Sequence, residues 1–224
     1  ELRTPLTLII SPVNDLMNDK FLPERLQYIV RTIYKNSKRL LLLVNQLLDF
    51  RKIEHGAMKL SISKVPVESF IWEQIENFRE LSSKKQITIH YENLYKEDNV
   101  WFDVEMMEKV ISNLLSNAIK YTGECGQISI RSYELNEFFY FMISDNGEGI
   151  SEEDIHHIFE PFYQVHQGTH SGMFGSGIGL SLVQYIVKLH GGNIWVESEK
   201  GKGTTFYISL FLGKEHYVEN NSEI

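Results

Sequence analysis

Leu26, Val30, Ile33, Ser37, Leu40, Val44 and Leu47 follow one another at alternating steps of four and three, with Ser37 the only polar member. That spacing is one face of an α-helix. It predicts a helix over residues 24–54, about 46 Å long at 1.5 Å per residue. Leu2, Leu6, Ile9, Val13 and Leu16 keep the same steps ahead of it, across a break at Phe21-Leu22-Pro23. Leu41, Leu42, Leu43 and Leu48 widen the stripe beyond what one neighbouring helix can cover. A hairpin packed on its own domain is one outcome. The surplus of apolar surface favours an antiparallel helical hairpin that completes a dimeric four-helix bundle with a second copy.

Gly56 is expected to end that helix, and the pattern then becomes mixed. Pro66 suits a first helical position, followed by an apolar face of Phe70, Ile71, Ile75, Phe78 and Leu81. Residues 87–91 and 100–102 read as strands, and Asp103 can cap a helix running to about Tyr121. Residues 127–133 and 138–144 are strand-like, the second apolar on both faces and so central. Ser151-Glu152-Glu153-Asp154 resembles a capping box, a helix is expected over 178–189, and strands over 193–198 and 204–210 close the pattern. Residues 1–56 thus form a helical hairpin and 57–213 an α/β domain, an α+β chain overall. Residues 214–224 read as a polar tail or linker without order.

A formal charge of −8 with no basic cluster excludes nucleic acid as a partner. One cysteine, Cys125, excludes a disulfide framework and fits a reducing compartment. No apolar run has the length of a membrane span. The chain begins at Glu1 and is read as a fragment.

Asn113, Asn117 and Lys120 fall within about 60° of one another on the helical wheel, opposite Ile111, Leu114, Leu115 and Ala118. Amide oxygens are hard ligands that suit Mg²⁺, and a lysine suits a phosphate. From these three residues alone, a solvated helix face explains the pattern better. Asp145-Asn146-Gly147-Glu148-Gly149-Ile150 then follows an apolar strand, where a carboxylate can accept from an exocyclic amine and glycines let a flat base approach. Gly175-Ser176-Gly177-Ile178-Gly179-Leu180 opens a helix, whose first N–H groups attract phosphate. Nine of the fifteen glycines lie between 147 and 192, where a ligand would need a mobile lid.

Taken in order, Glu1-Leu-Arg-Thr4-Pro5-Leu6, Asn113-Leu-Leu-Ser-Asn117-Ala-Ile-Lys120-Tyr121-Thr122, Asp145-Asn-Gly147-Glu-Gly149-Ile150, Phe159-Glu-Pro-Phe162-Tyr163 and Gly175-Ser176-Gly177-Ile178-Gly179-Leu180 resemble the phosphoacceptor, N, first glycine, F and second glycine boxes of sensor histidine kinases of two-component signalling. The resemblance spans about residues 1–212. It implies a dimerising hairpin followed by a GHKL-type ATP-binding α/β sandwich with a mixed sheet. It implies ATP and Mg²⁺ as cofactors, with Asn117 the principal magnesium ligand helped by Asn113. Lys120 would contact phosphate, and Tyr121 and Ile150 would line the pocket. Asp145 would read the adenine amine, with Gly147 and Gly149 shaping its pocket. Gly175, Ser176, Gly177, Ile178, Gly179 and Leu180 would form the phosphate side, and Phe159 to Ser176 the lid. Glu1 would hold a proton for the phosphoacceptor histidine expected directly before it, and Thr4 would position water in the reverse reaction. The implied partners are a second copy through residues 1–56 and the receiver domain of a response regulator. The implied location is the cytoplasmic part of a membrane-bound sensor.

Two departures accompany the resemblance. The phosphoacceptor histidine is not among residues 1–224, and segment 159–176 has no Lys or Arg, only His166 and His170 as weak substitutes. His156 and His157 point to different helix faces, so zinc is not expected, and His55 reads as a helix-terminal residue. Two other classes fit the same motifs: an ATP-driven conformational clamp, and a degenerate kinase that only binds nucleotide. In the clamp branch, the position of Asn113 is a glutamate that activates water. An amide cannot take that proton, which favours transfer over hydrolysis.

Overall fold

The computed structural model describes residues 3–17, 22–55, 58–97, 99–165 and 176–218. The chain divides into two compact units, Glu1–Ala57 and Met58–Ile224.

The first unit is a pair of packed helices, α1 (Arg3–Met17) and α2 (Glu24–Glu54). The sequence turns between them at Pro23, whose carbonyl accepts from Leu26 and Gln27 N–H to start α2, while the Gln27 side chain donates to Leu22 O at 3.0 Å. Leu6 and Val30 are buried. Ile9, Leu16, Leu26, Ile33, Leu40 and Leu47 all remain between 42% and 49% exposed. One hairpin therefore leaves its repeating stripe half uncovered, as the count of leucines anticipated.

The second unit is a five-stranded mixed sheet in the order β2 (Thr88–Asn93), β4 (Gln127–Leu135), β5 (Phe138–Asp145), β7 (Gly203–Phe211), β6 (Asn193–Glu199). Only β2 and β4 pair in parallel. Period-2 patterning puts Ile128, Ile130, Phe139, Phe141, Ile143, Phe206 and Ile208 on one face. They are buried with Val110, Ile111, Leu114 and Leu115 of α5 (Val104–Tyr121) and Leu182, Val183, Ile186 and Val187 of α7 (Gly179–Leu189). At about 25 cal/mol per Å², this burial is the main stabilising term. Asp103 caps α5 as its position suggests, accepting from Met106 N–H at 3.0 Å. β5 is central, but its second face is not a second core. Phe138, Tyr140 and Met142 are half-buried there among rings, with Tyr133 stacked on Tyr140 at 5.1 Å and Trp195 on Tyr207 at 5.0 Å.

Three expectations change. Pro66 is not a first helical residue: it ends β1 (Ser63–Pro66), which pairs with β3 (Asn99–Phe102), and it caps α3 (Val67–Glu76). The helical face drawn to Leu81 breaks at Asn77–Phe78. A separate α4 (Arg79–Lys84) follows and leaves Leu81 exposed. Finally, residues 214–224 are not wholly a disordered polar tail. Glu215–Val218 form α8 after the short α6 (Glu152–Ile155), and Tyr217 is 1% exposed, packed on Leu60, Ile62 and Trp101. Its hydroxyl donates to Trp101 O at 3.0 Å. One aromatic side chain supplies the docking, and average polarity over the segment conceals it. Residues 219–224 lie outside the described set, as does Gly56.

His190, fully buried at the end of α7, donates from Nδ1 to Ile186 O at 2.8 Å and accepts at Nε2 from Asp103 N–H at 3.1 Å. Both nitrogens are used by the neutral ring. Burial pushes its pKa below 6.5, against smaller opposing effects of the Ile186 carbonyl and the Asp103 charge. The neighbouring His216 is lowered too, by burial first. A base with a depressed folded pKa contributes stability that is present above its unfolded pKa of 6.5 and lost as pH falls. Urea midpoints should therefore drop between pH 7.5 and 5.5, and His190→Gln should flatten that dependence. A wild-type midpoint constant over this range would contradict the assignment.

Candidate functional site

α5 carries the polar face. Its apolar residues turn into the core, leaving Asn113, Asn117 and Lys120 half-buried on the other side. The Asn113 side chain is oriented by its own helix, with Nδ2 donating to Lys109 O at 2.7 Å. Its Oδ1 is thereby aimed at the start of α7, 2.6 Å from where a Cβ on Gly179 would sit. Glycine at 179 lets the carboxamide oxygen and the positive end of α7 share one spot. No acidic side chain lies in the first turn of α7, so no carboxylate within that turn offsets the positive end of the helix. At the far end of the face, Lys120 Nζ contacts Tyr121 Oη at 3.0 Å and lies over its ring.

Asp145 ends β5. Its Oδ1 accepts from Gly147 N–H at 2.9 Å, and the N–H of Thr204 also hydrogen-bonds the carboxylate. Burial raises its pKa above the usual 3.8, and those two hydrogen bonds pull the other way. Gly147 comes so close to α5 that a Cβ would lie 2.4 Å from Tyr121 O. Glu148 N–H donates to the same carbonyl at 3.2 Å. Ile150 N–H donates to Ser198 Oγ at 2.8 Å, and Glu148 O accepts from Gly201 N–H at 2.7 Å. The 145–150 turn is thus pinned between α5 and the β6–β7 hairpin. Ser198, which does part of this pinning beside Thr204, carries no motif signal. Only register across the sheet brings them there.

Phe159 lies edge-on to Phe206 at 6.4 Å. Gly177, at φ +71°, occupies backbone space where a Cβ would strike the Phe162 main chain, and its carbonyl accepts from Phe162 N–H at 2.9 Å. Ser176 Oγ accepts from Ile178 N–H at 3.2 Å; Ile178 is buried and Leu180 half-buried. Gly175, His166 and His170 lie outside the described residues, as does Glu1. Thr4 is exposed on α1, in the other unit. Among the described residues, no group of three or more His, Cys, Asp or Glu could hold a metal. The hard donors available are the amide oxygens of Asn113 and Asn117, and they suit magnesium beside phosphate.

Residues 102–214 match the family described as histidine kinase-, DNA gyrase B- and HSP90-like ATPase. Residues 1–56 match the His Kinase A (phospho-acceptor) domain. Over 98% of its length the chain is 35% identical to Histidine kinase P4 of Formosa agariphila, covering 16% of that protein. Over 94% it is 33% identical to the alginate biosynthesis sensor protein KinB of Pseudomonas aeruginosa, covering 35% of it. The chain thus spans about a third or less of these relatives. Full-length ShkA in complex with AMPPNP superposes with a TM-score of 0.80 at 27% identity, over 94% of this chain and 44% of that one. Histidine kinase ThkA in complex with the response regulator protein TrrA gives 0.67 at 26% identity, over 95% of this chain and 59% of that one.

Proposed function

The chain belongs to the sensor histidine kinases of two-component signalling, and on that premise we propose that it is the ATP-dependent kinase core of such a protein. It transfers the γ-phosphoryl of ATP to the histidine expected directly before Glu1, for relay to an aspartate of a receiver domain. The observation that carries this is the meeting of Asn113 with the N-terminus of α7, on the same helix whose end holds the Asp145 turn. Tyr121 is eight positions along the helix from Asn113, about 12 Å along the axis at 1.5 Å per residue. One end of the groove suits a base and the other suits phosphates.

Asp145 accepts from the exocyclic amine of adenine, with Gly147 and Gly149 beneath the ring and Tyr121, Ile150 and Phe159 around it. The amides opening α7 and the Lys120 ammonium face phosphate oxygens. Asn117, with Asn113, would hold magnesium, which when bound offsets phosphate charge. The imidazole nitrogen forms a bond to the γ-phosphorus as the bond to the β,γ-bridging oxygen breaks, and ADP leaves with that electron pair. Glu1 takes the proton from the other ring nitrogen, and Thr4 positions water when the partner is dephosphorylated. Asn113 cannot act as a base toward water, so transfer is favoured over hydrolysis.

The half-covered stripe on α1 and α2 supports a homodimer through residues 1–56. The ThkA complex supports a response-regulator partner. No described helix is long and apolar enough to cross a membrane. We assign the unit to the cytoplasmic side of a membrane-bound sensor.

Calorimetry with AMPPNP tests the metal assignment. Asn117→Ala should weaken binding about 10- to 100-fold, the scale of a lost metal-site partner, and remove most of the magnesium dependence. Unchanged magnesium-dependent affinity in a folded Asn117→Ala protein would show that the metal is held elsewhere.

A further inference from the structure

We propose that Lys85 is a positioning residue of the nucleotide site, setting the last turn of α5 so that the Tyr121 carbonyl meets Gly147 and Glu148. Lys85 belongs to no motif above and lies outside both family matches. The inference rests on the nucleotide reading of this site.

The last carbonyls of a helix have no partners within it. Ala118 O accepts from Thr122 N–H at 3.0 Å. The carbonyls of Ile119, Lys120 and Thr122 all accept from Lys85 Nζ, at 2.8, 3.0 and 2.9 Å. The remaining one, Tyr121 O, accepts from Glu148 N–H at 3.2 Å. An ammonium has three donors, and each here has one carbonyl. Its charge also sits at the negative end of the helix. Lys85 is itself held in place: its N–H donates to Ser82 O at 3.1 Å and its carbonyl accepts from Cys125 N–H at 3.0 Å.

Removing the ammonium leaves three part-buried carbonyls of one turn without that partner, and the turn relaxes to find others. Tyr121 O shares that turn. Gly147 packs against it within the space of a Cβ, and Gly147 N–H holds the Asp145 carboxylate. The disturbance therefore reaches the group that reads the base. Asn113, about 12 Å away along the helix, is spared. Lys85 should act on base discrimination more than on phosphate binding.

The test measures affinities of the chain for Mg-ADP and Mg-GDP by calorimetry, at a temperature where circular dichroism shows every variant folded. Wild type should prefer ADP, and Asp145→Asn should abolish that preference. Lys85→Met should weaken ADP about tenfold, a value typical of losing hydrogen bonds to a charged group, and leave GDP within about twofold. Lys85→Gln keeps a neutral donor pair and should lie between; if Lys85→Met does not fold, Lys85→Gln decides. A lower melting temperature with an unchanged ADP-to-GDP ratio would make Lys85 merely structural and overturn the proposal. A wild type without ADP preference, or an Asp145→Asn protein that keeps it, would instead overturn the base assignment beneath it.

Discussion

Incubated with γ-labelled ATP and magnesium, the chain extended by one histidine directly before Glu1, with enough upstream helix to complete the bundle, takes up an acid-labile, base-stable label. Residues 1–224 alone take up none. The effect is all or nothing, because no other histidine has the required setting. None of the eight in the sequence is followed by an acidic residue. His190 is buried with both ring nitrogens engaged, and His157 pairs with Glu160 at 2.8 Å. The added imidazole would directly precede Glu1 in the chain, the acidic neighbour proposed to manage its second nitrogen. Pro12 lies inside α1, where it cannot donate to Leu8 O, so the helix is expected to bend there. Such a bend helps a catalytic domain reach the reacting residue. Labelling of both chains would move the phosphoacceptor elsewhere. Labelling of neither, with Mg-ATP still bound, would favour a module that binds nucleotide without transferring phosphate.

Tyr217→Ala should destabilise the second unit by about 3–5 kcal/mol, the range for truncating a buried aromatic. The side chain is 1% exposed, closes a cluster with Leu60 and Ile62, and lies edge-on to His190 at 6.1 Å. Tyr217→Phe removes only the hydrogen bond to Trp101 O and should cost about 0.5–1.5 kcal/mol. Urea unfolding of the two variants separates packing from hydrogen bonding. If Tyr217→Ala unfolds with the wild-type midpoint, α8 is a surface appendage and not part of the core. Because Leu60 and Ile62 open this unit and Tyr217 closes it, the destabilisation should come with faster amide exchange at residues 60–62.

Several elements were legible because their signals are local. The limits of α2, Glu24 and Glu54, follow from a stripe that needs no knowledge of its partner. The Asp103 cap and the polar face of Asn113, Asn117 and Lys120 follow from spacing along one helix. What was missed depends on residues far apart. β1 is four residues with only Val65 buried, and it becomes a strand because β3 is there to pair with it. Leu81 fits a helical wheel, yet the backbone turns at Asn77–Phe78 and carries it out to solvent. The tail looked polar because ten unremarkable neighbours outweigh one tyrosine.

Periodicity and ordered motifs encode two long helices with an unsatisfied stripe, a mixed α/β unit, and the residue types that suit a nucleotide. Each is set within one element, where geometry repeats every 3.6 or 2 residues. The distant groups that complete them are chosen by long-range packing and sheet register. Lys85 finds the end of α5 across 34 residues or more, Ser198 and Thr204 reach the Asp145 turn through sheet register, and Tyr217 finds Trp101 across 116. A helix end, a buried carboxylate and an exposed ring each leave a deficit that the local chain cannot fill, and burial requires a partner from wherever the fold can bring one.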